Sequence, residues 1–319
     1  MTRGRGLLVT GAAGFIGRRL VAAAHARGWR VTGLERERDV AAESALAGVE
    51  TLIHDVRQPL PTSSVQGMAA IVHLAALVPP DLEDPAYASE CVSVNALGTL
   101  NVLEAALLGG KPHVVYLGSA NAYATTPRAA SETDAMVAAG RAPFYLGSKI
   151  LADGFVEYYR RRRGLPATSL RPTSVYGPGM LAKSMLFTFL DRLGRGEPID
   201  VADAGRYMSD LVFVDDVVAA ILATLDRKVL GPLNIGAGRR RTSLEVARRV
   251  AAVVGAAPRL IRVAPAVAGV EPAVLPAVSI ARARSELAFV PTGLAAGLRR
   301  TLAEDPRLRA VIAPGSRER

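Results

Sequence analysis

Cysteine is almost absent from the 319-residue chain: Cys91 is the only one, which excludes an internal disulfide, a cysteine-based zinc site and a redox pair. A reducing, cytoplasmic setting fits that usage. Long apolar runs are also missing; the best candidate, Ala69–Val78, is interrupted by His73 and ends at Pro79-Pro80, short of the roughly 18–20 residues a membrane span needs. Arg3 and Arg5 before Leu7-Leu8-Val9 faintly resemble a signal peptide, but Gly11, Gly14 and Gly17 break the segment where it should be continuous. A protein without a membrane partner is expected. Aromatic residues make up only 5% of the chain, and only four of its 39 basic residues are Lys. The net charge of +10 would otherwise suggest a nucleic-acid binder, yet such recognition needs basic and aromatic residues clustered together. Arginine spread through an Ala-, Val-, Leu- and Gly-rich chain is the bias of a GC-rich coding sequence, so no nucleic-acid partner is expected.

What the chain does have is a core. Half of its residues are hydrophobic and 21% are charged, which excludes general disorder. Short apolar runs at Gly6–Thr10, Arg30–Glu35, Glu50–His54, Ala70–Leu74, His113–Gly118 and Thr168–Arg171 read as strands. Helical periods begin near Gly14, Pro85, Pro143 and Lys183. This alternation predicts an α/β fold, a doubly wound parallel sheet whose ligand crevice lies at the carboxyl ends of its strands. Residues 1–177, with a returning segment 210–235, form the expected main domain. Residues 178–209 and 236–319 form the expected smaller α/β C-terminal domain for substrate. The Arg160–Arg163 run ahead of Gly164 reads as a helix C-terminus, and Arg239–Arg241 as a solvated loop.

Val9-Thr10-Gly11-Ala12-Ala13-Gly14-Phe15-Ile16-Gly17 follows the first strand and opens a helix. Gly11 permits the tight turn, Gly14 removes a side chain that would block phosphates, and Gly17 allows close helix packing. The helix N-terminus adds free N–H groups and a favourable dipole for an anion. A dinucleotide is the implied ligand. Glu35 ends the second strand, where a carboxylate accepts hydrogen bonds from ribose hydroxyls and favours NAD. Arg36 beside it could meet a 2′-phosphate, which leaves NADP open.

Tyr145-Leu146-Gly147-Ser148-Lys149 sits near the start of a predicted helix, with Tyr145 and Lys149 on one face. A free phenol is a poor base at neutral pH. A neighbouring ammonium, together with an oxidised nicotinamide, is expected to lower its pKa so that it can exchange a proton with a substrate hydroxyl.

At this point the chain resembles an extended short-chain dehydrogenase/reductase of the NAD-dependent epimerase/dehydratase type, with a Rossmann fold. The matching segments are TGAAGFIG at Thr10–Gly17, Asp55-Val56, HLAA at His73–Ala76, Val94-Asn95 with Gly98-Thr99, LGSANAY at Leu117–Tyr123, YLGSK at Tyr145–Lys149, RPTSVYGPG at Arg171–Gly179, FVDDV at Phe213–Val217 and LNIGAG at Leu233–Gly238. The resemblance implies that Gly11, Gly14, Phe15, Ile16 and Gly17 meet the cofactor, that Asp55 and Val56 bracket its adenine, and that Leu74, Ala75 and Ala76 line it. It implies that Asn95 supports the cofactor and the active-site helix, that Lys149 holds the nicotinamide ribose, and that Pro172 to Val175 pack near the nicotinamide. Ser119 matches the hydroxyl residue that works beside Tyr145, and His73 has a structural position. A homodimer through Pro85–Leu108 and Tyr145–Arg163 is implied as well.

Two departures narrow the chemistry. Ala120-Asn121 stands where dehydrating relatives carry an Asp-Glu pair, so dehydration is disfavoured, and Asn121 becomes a substrate-side candidate. Nucleotide-sugar enzymes of this type clamp the diphosphate with an Arg where this chain has Ser209, and with a second Arg near Ala268–Glu271, where there is none. Arg206, or Arg192 and Arg195, are the candidate substitutes. The expected activity is therefore hydride transfer at a secondary alcohol or ketone of a sugar-like substrate by an epimerase or oxidoreductase, with no metal. A small non-nucleotide sugar acid or alcohol is the alternative substrate, and a catalytically silent NAD(P)-sensing protein is the alternative of another class.

Overall fold

Strand β1 (Gly6–Thr10) is buried along its whole length in the interior of the main sheet. The computed structural model describes residues 5–37, 46–138, 142–266 and 273–309. Around β1 lie β2 (Arg30–Glu35), β3 (Glu50–Ile53), β4 (Met68–His73), β5 (His113–Leu117), β6 (Ala167–Pro172) and β11 (Gly231–Ile235), in the order β11-β6-β5-β4-β1-β2-β3. Every pairing is parallel, from Gly6↔Arg30 on one side of β1 to Gly231↔Thr168 at the far edge. Continuous apolar strands such as GLLVT bury both faces under helices, as a parallel sheet requires. Strand order reverses between β1 and β4, and the crevice outside their carboxyl ends is where such sheets take ligands.

Helices α1 (Gly17–Ala26), α2 (Pro85–Leu108) and α3 (Pro143–Arg162) cover the sheet. Helix α2 has a π-helical stretch at Val92–Leu97, which contains Asn95. By length and composition alone α2 could cross a membrane, although it contains no unbroken apolar run of that length. Half of that stretch is buried against the rest of the protein, as expected for a core helix. Helix α3 ends as the sequence predicts, with Arg160–Arg162 in its last turn and Gly164 at φ +64°. Arg160 and Arg161 of that turn pair with Glu157.

The remaining elements build a second apolar cluster beside the sheet. It combines β7 (Ser174–Tyr176), α4 (Met185–Gly194), β8 (Ile199–Val201), β10 (Leu211–Phe213), α6 (Ser243–Val254) and α8 (Leu294–Glu304). Tyr176, Leu190, Phe213, Val246 and Leu298 form its centre. Between these segments α5 (Val214–Arg227) and β11 return to the main sheet. Farther along, Val278, Ile280, Ala283, Leu287 and Phe289 also pack into the sheet-side core, with α7 (Ala281–Leu287) against α5.

Candidate active site

A cavity of about 420 Å³ opens at the carboxyl ends of β1, β2 and β4, lined by Gly11, Ala13, Arg18, Glu35, Asp55, Val56, Ala75, Ala76 and Leu77 among others. Gly11 has φ +67°, and a Cβ there would lie 2.9 Å from the Ala75 nitrogen. At Gly17 a Cβ would lie 2.1 Å from the Gly11 carbonyl, so glycine is what lets the helix approach the turn. Helix α1 has no side-chain cap at its N-terminus and no acidic residue in its first turn, leaving its dipole to an external anion. The side chains of Phe15 and Ile16 pack into the second apolar cluster, so only their backbone faces this turn. Arg18, the residue after the glycine turn, enters the cavity wall without having been singled out by the sequence reading.

Glu35 accepts a hydrogen bond from the Ala13 N–H at 2.8 Å, which ties the end of β2 to the glycine turn. Burial raises its pKa, opposed by the backbone N–H groups it accepts from. Arg36 points instead to Glu37 at 2.6 Å. Asp55 is held by Arg57 at 2.5 Å, and that hydrogen bond holds its carboxyl below the usual range. Val56 is buried, and its carbonyl accepts from Asn101 at 2.8 Å.

His73 sits in a closed relay. The Ala75 N–H donates to the Thr10 hydroxyl (3.1 Å) and Thr10 lies 2.7 Å from Nδ1. On the other side Nε2 lies 3.1 Å from the Thr99 hydroxyl, which donates to the Asn95 carbonyl at 2.6 Å. Since Thr99 uses its proton on Asn95, it must accept from Nε2–H, which assigns the neutral Nε2–H tautomer. Burial pushes His73 down to about 3, so it is a structural histidine. The Asn95 side chain clamps the backbone of Leu77 (2.7 and 3.0 Å) and donates to the Ser148 hydroxyl at 2.9 Å. Ser148 in turn donates to the Tyr145 carbonyl at 2.8 Å. Asn95 thus links the cavity wall to the helix that carries Tyr145.

Pro143 occupies the first turn of α3, where its missing N–H costs nothing. Tyr145 and Lys149 follow one turn apart, and Ser119 lies just beyond β5, where the Ala120–Ala122 turn packs on α3. Among the described residues none of the three side chains is hydrogen-bonded to another. The Lys149 ammonium lies 4.8 Å from the centre of the Tyr116 ring. Burial brings Lys149 down to about 8, opposed by Asp153. Tyr145 is pushed up to about 12 by burial, with the Cys91 thiol adding to it. The expected lowering of the phenol is thus not present in the protein alone, because both groups are desolvated and Lys149 leans on Tyr116.

Below α3 a buried ion pair fixes the helix to the sheet. Arg171 donates to Asp153 through Nε (3.1 Å) and Nη2 (2.5 Å), and to the Tyr123 hydroxyl at 2.5 Å. Pro172 is the last residue of β6 and is buried, whereas Val175 belongs to the wall of a second cavity.

That second cavity, about 430 Å³, lies between β7, α4 and the Asp200–Ser209 segment. Its wall includes Ser174, Val175, Met180, Phe189, Val201, Asp203, Tyr207, Ser209 and Ser243. Asn121 reaches Ser174 at 3.4 Å, connecting this cavity to the Ser119 turn. Asp210 turns away from it; its carboxylate accepts from the Ala237 and Gly238 N–H groups at 2.8 and 3.0 Å, and burial raises it to about 6. The substitute cations named from sequence do not enter the wall. Arg206 is exposed and donates to the Asp203 carbonyl at 3.4 Å. Arg192 pairs with Glu197 and Arg195 with Asp191. Ala268–Glu271 lies outside the described residues.

Comparison with known proteins gives a consistent answer. The profile of the "NAD dependent epimerase/dehydratase family" matches residues 7–236. The chain is 30% identical over 267 residues to UDP-glucose 4-epimerase of Mycolicibacterium smegmatis, covering 78% of this chain and 82% of that protein. It is 29% identical over 314 residues to dTDP-4-dehydro-6-deoxy-D-allose reductase of a Streptomyces species, covering 93% and 95%. Dehydratases are also among the relatives. MoeE5 in complex with UDP-glucose and NAD superposes with a TM-score of 0.79 at 26% identity, covering 97% of this chain and all of that one.

Proposed function

The chain belongs to the NAD dependent epimerase/dehydratase family, and we propose that it is an epimerase or oxidoreductase that moves hydride at a secondary alcohol or ketone of a sugar-like substrate, with NAD as cofactor. The observation that supports this reading is that Tyr145 and Lys149 lie one turn apart on α3, that the turn following Ser119 packs on this helix, and that Asn95 ties the helix to Leu77 in the wall of the first cavity. Gly11, Gly14, Gly17 and the start of α1 would hold the diphosphate of NAD. Glu35 would hold its ribose and Asp55 and Val56 its adenine. Leu74, Ala75, Ala76, Pro172, Val175 and Lys149 would flank the nicotinamide half. The first cavity and the uncapped helix fit such a ligand.

When bound, NAD supplies a reversible hydride acceptor and, oxidised, a positive charge near the phenol. Tyr145 takes the proton of the substrate hydroxyl as hydride leaves the carbon, and returns it in the reverse direction. Ser119 hydrogen-bonds the reacting oxygen. Lys149 and the cofactor's charge both favour the phenolate, which is needed because burial alone holds Tyr145 near 12. Ala120 and Asn121 offer no titrating side chain next to Ser119, which supports hydride chemistry without loss of water.

The test is Tyr145→Phe, assayed with NAD and a panel of nucleotide sugars and free sugars. Turnover is expected to fall by roughly 10²–10⁴, while the thermal stabilisation by NAD persists. Substantial remaining turnover would overturn the assignment. Nicotinamide that co-purifies, with no net absorbance change during turnover, identifies epimerisation; accumulating reduced cofactor identifies net oxidation.

A further inference from the structure

We infer that Tyr116 is a positioning residue for Lys149: the face of its ring keeps the ammonium charged and in place beside a carboxylate that is already matched. This rests on the role proposed above for Lys149 next to Tyr145, and adds the group that keeps that role available. Lys149 is buried, and among the described residues its ammonium makes no ion pair and no side-chain hydrogen bond. The obvious counter-ion is Asp153, one turn further along α3, but its carboxylate accepts from Arg171 through Nε and Nη2 and from the Ser169 hydroxyl. An ammonium taken out of water without a partner tends to give up its proton. What Lys149 has instead is the Tyr116 ring, with Nζ 4.8 Å from the ring centre. That lies inside the range over which an aromatic face attracts a cation, and the attraction grows when water is excluded.

The ring is itself fixed. In the parallel ladder of β4 and β5 Tyr116 pairs with His73, and the two rings lie 6.0 Å apart with a tilt of 30°. On the other side of β5, Tyr116 pairs with Ser169 of β6. The Tyr116 hydroxyl donates to the Lys149 carbonyl at 3.3 Å, so one residue meets both the backbone and the ammonium of Lys149. Burial holds this phenol well above its usual range, which leaves it a neutral donor. His73, neutral between Thr10 and Thr99, adds no second positive charge to the stack. The other titratable or charged groups around Lys149 are Tyr145 and Asp153 on its own helix, Glu90 and Cys91 on α2, and Arg171 on β6. A tyrosine that only filled space could give way to an aliphatic side chain; one that holds a charge cannot lose its aromatic face.

The chain has four lysines, and Lys111, Lys183 and Lys228 are exposed. NMR of the full chain labelled with ¹³C at lysine Cε therefore separates Lys149, assigned by the loss of its signal in Lys149→Arg. Without NAD that signal is expected upfield of the other three through the ring current of Tyr116, and to titrate near 8. Tyr116→Phe keeps the ring and should keep both features. Tyr116→Leu should abolish the upfield displacement and move the titration to lower pH by about 1, the size of a desolvated cation–π contact. Turnover needs the charged ammonium, so it is lost as pH rises through the Lys149 titration. The alkaline limb of kcat/KM should accordingly move down in Tyr116→Leu and stay in place in Tyr116→Phe. A wild-type Lys149 signal that coincides with the exposed three, a titration unchanged in Tyr116→Leu, or an alkaline limb that does not follow the titration overturns the inference. The wild-type spectrum decides the ring contact even if Tyr116→Leu fails to fold. A displaced Lys149 signal in a wild type that turns over no sugar of the panel would instead overturn the proposed function.

Discussion

Among single residues, His73 shows most plainly how a reactive side chain can be structural. Both ring nitrogens are engaged by Thr10 and Thr99, and burial holds the ring neutral down to about pH 3. In the unfolded chain a histidine titrates near 6.5, so below that pH the unfolded state binds the extra proton and stability falls as pH falls. Asp210 works in the opposite sense between about 3.8 and 6, because its folded carboxyl takes up a proton first. The His73 contribution is isolated by comparison with His73→Gln. Between pH 7 and pH 5 the wild type should lose about 2 kcal/mol more than the variant in urea unfolding. Parallel pH profiles would contradict the neutral assignment. The sequence already marked His73 as structural through its resemblance, but the tautomer depends on Thr99, which donates to Asn95 on its own helix and meets His73 from 26 positions away, a contact visible only in the fold.

At the scale of elements, α3 depends on its joint with β6. Asp153 lies one turn past Lys149, and its carboxylate is matched by Arg171 with only 6% and 7% side-chain exposure. Removing one partner of a buried pair leaves an uncompensated charge, so Asp153→Ala should cost about 3–5 kcal/mol. Adding Arg171→Met should recover part of that loss; a cost below about 1 kcal/mol for the single change would show that the joint contributes little. The helix, its start at Pro143 and the spacing of Tyr145 and Lys149 were all legible in the sequence, since a four-residue spacing fixes a shared helix face. The direction of Lys149 was not legible. Its ammonium rests on Tyr116, a residue of β5 brought near by sheet packing. Arg206 gives the converse case: an arginine in a plausible motif position whose backbone directs it to solvent.

For the whole molecule, α2 and α3 pack side by side and expose Val92, Leu97, Leu108, Leu151 and Tyr158, with Leu108 at 70% and Tyr158 at 53%. The homodimer that the resemblance implies would bury these apolar side chains on two adjacent helices. Light scattering should give twice the chain mass, and Leu151→Glu should shift the equilibrium toward monomer. A wild-type monomer at micromolar concentration would refute the dimer. The sequence by itself determined the sheet, the glycine turn and the shared helix face of Tyr145 and Lys149, because strand and helix periodicity and close backbone approach are local requirements carried by neighbouring residues. Only the tertiary structure decided which charges face the ligand cavities, because that depends on strands and loops far apart in the chain meeting in register. Tyr116 and Lys149, 33 positions apart, meet only where β5 and α3 come together, and no local pattern in the chain encodes that contact.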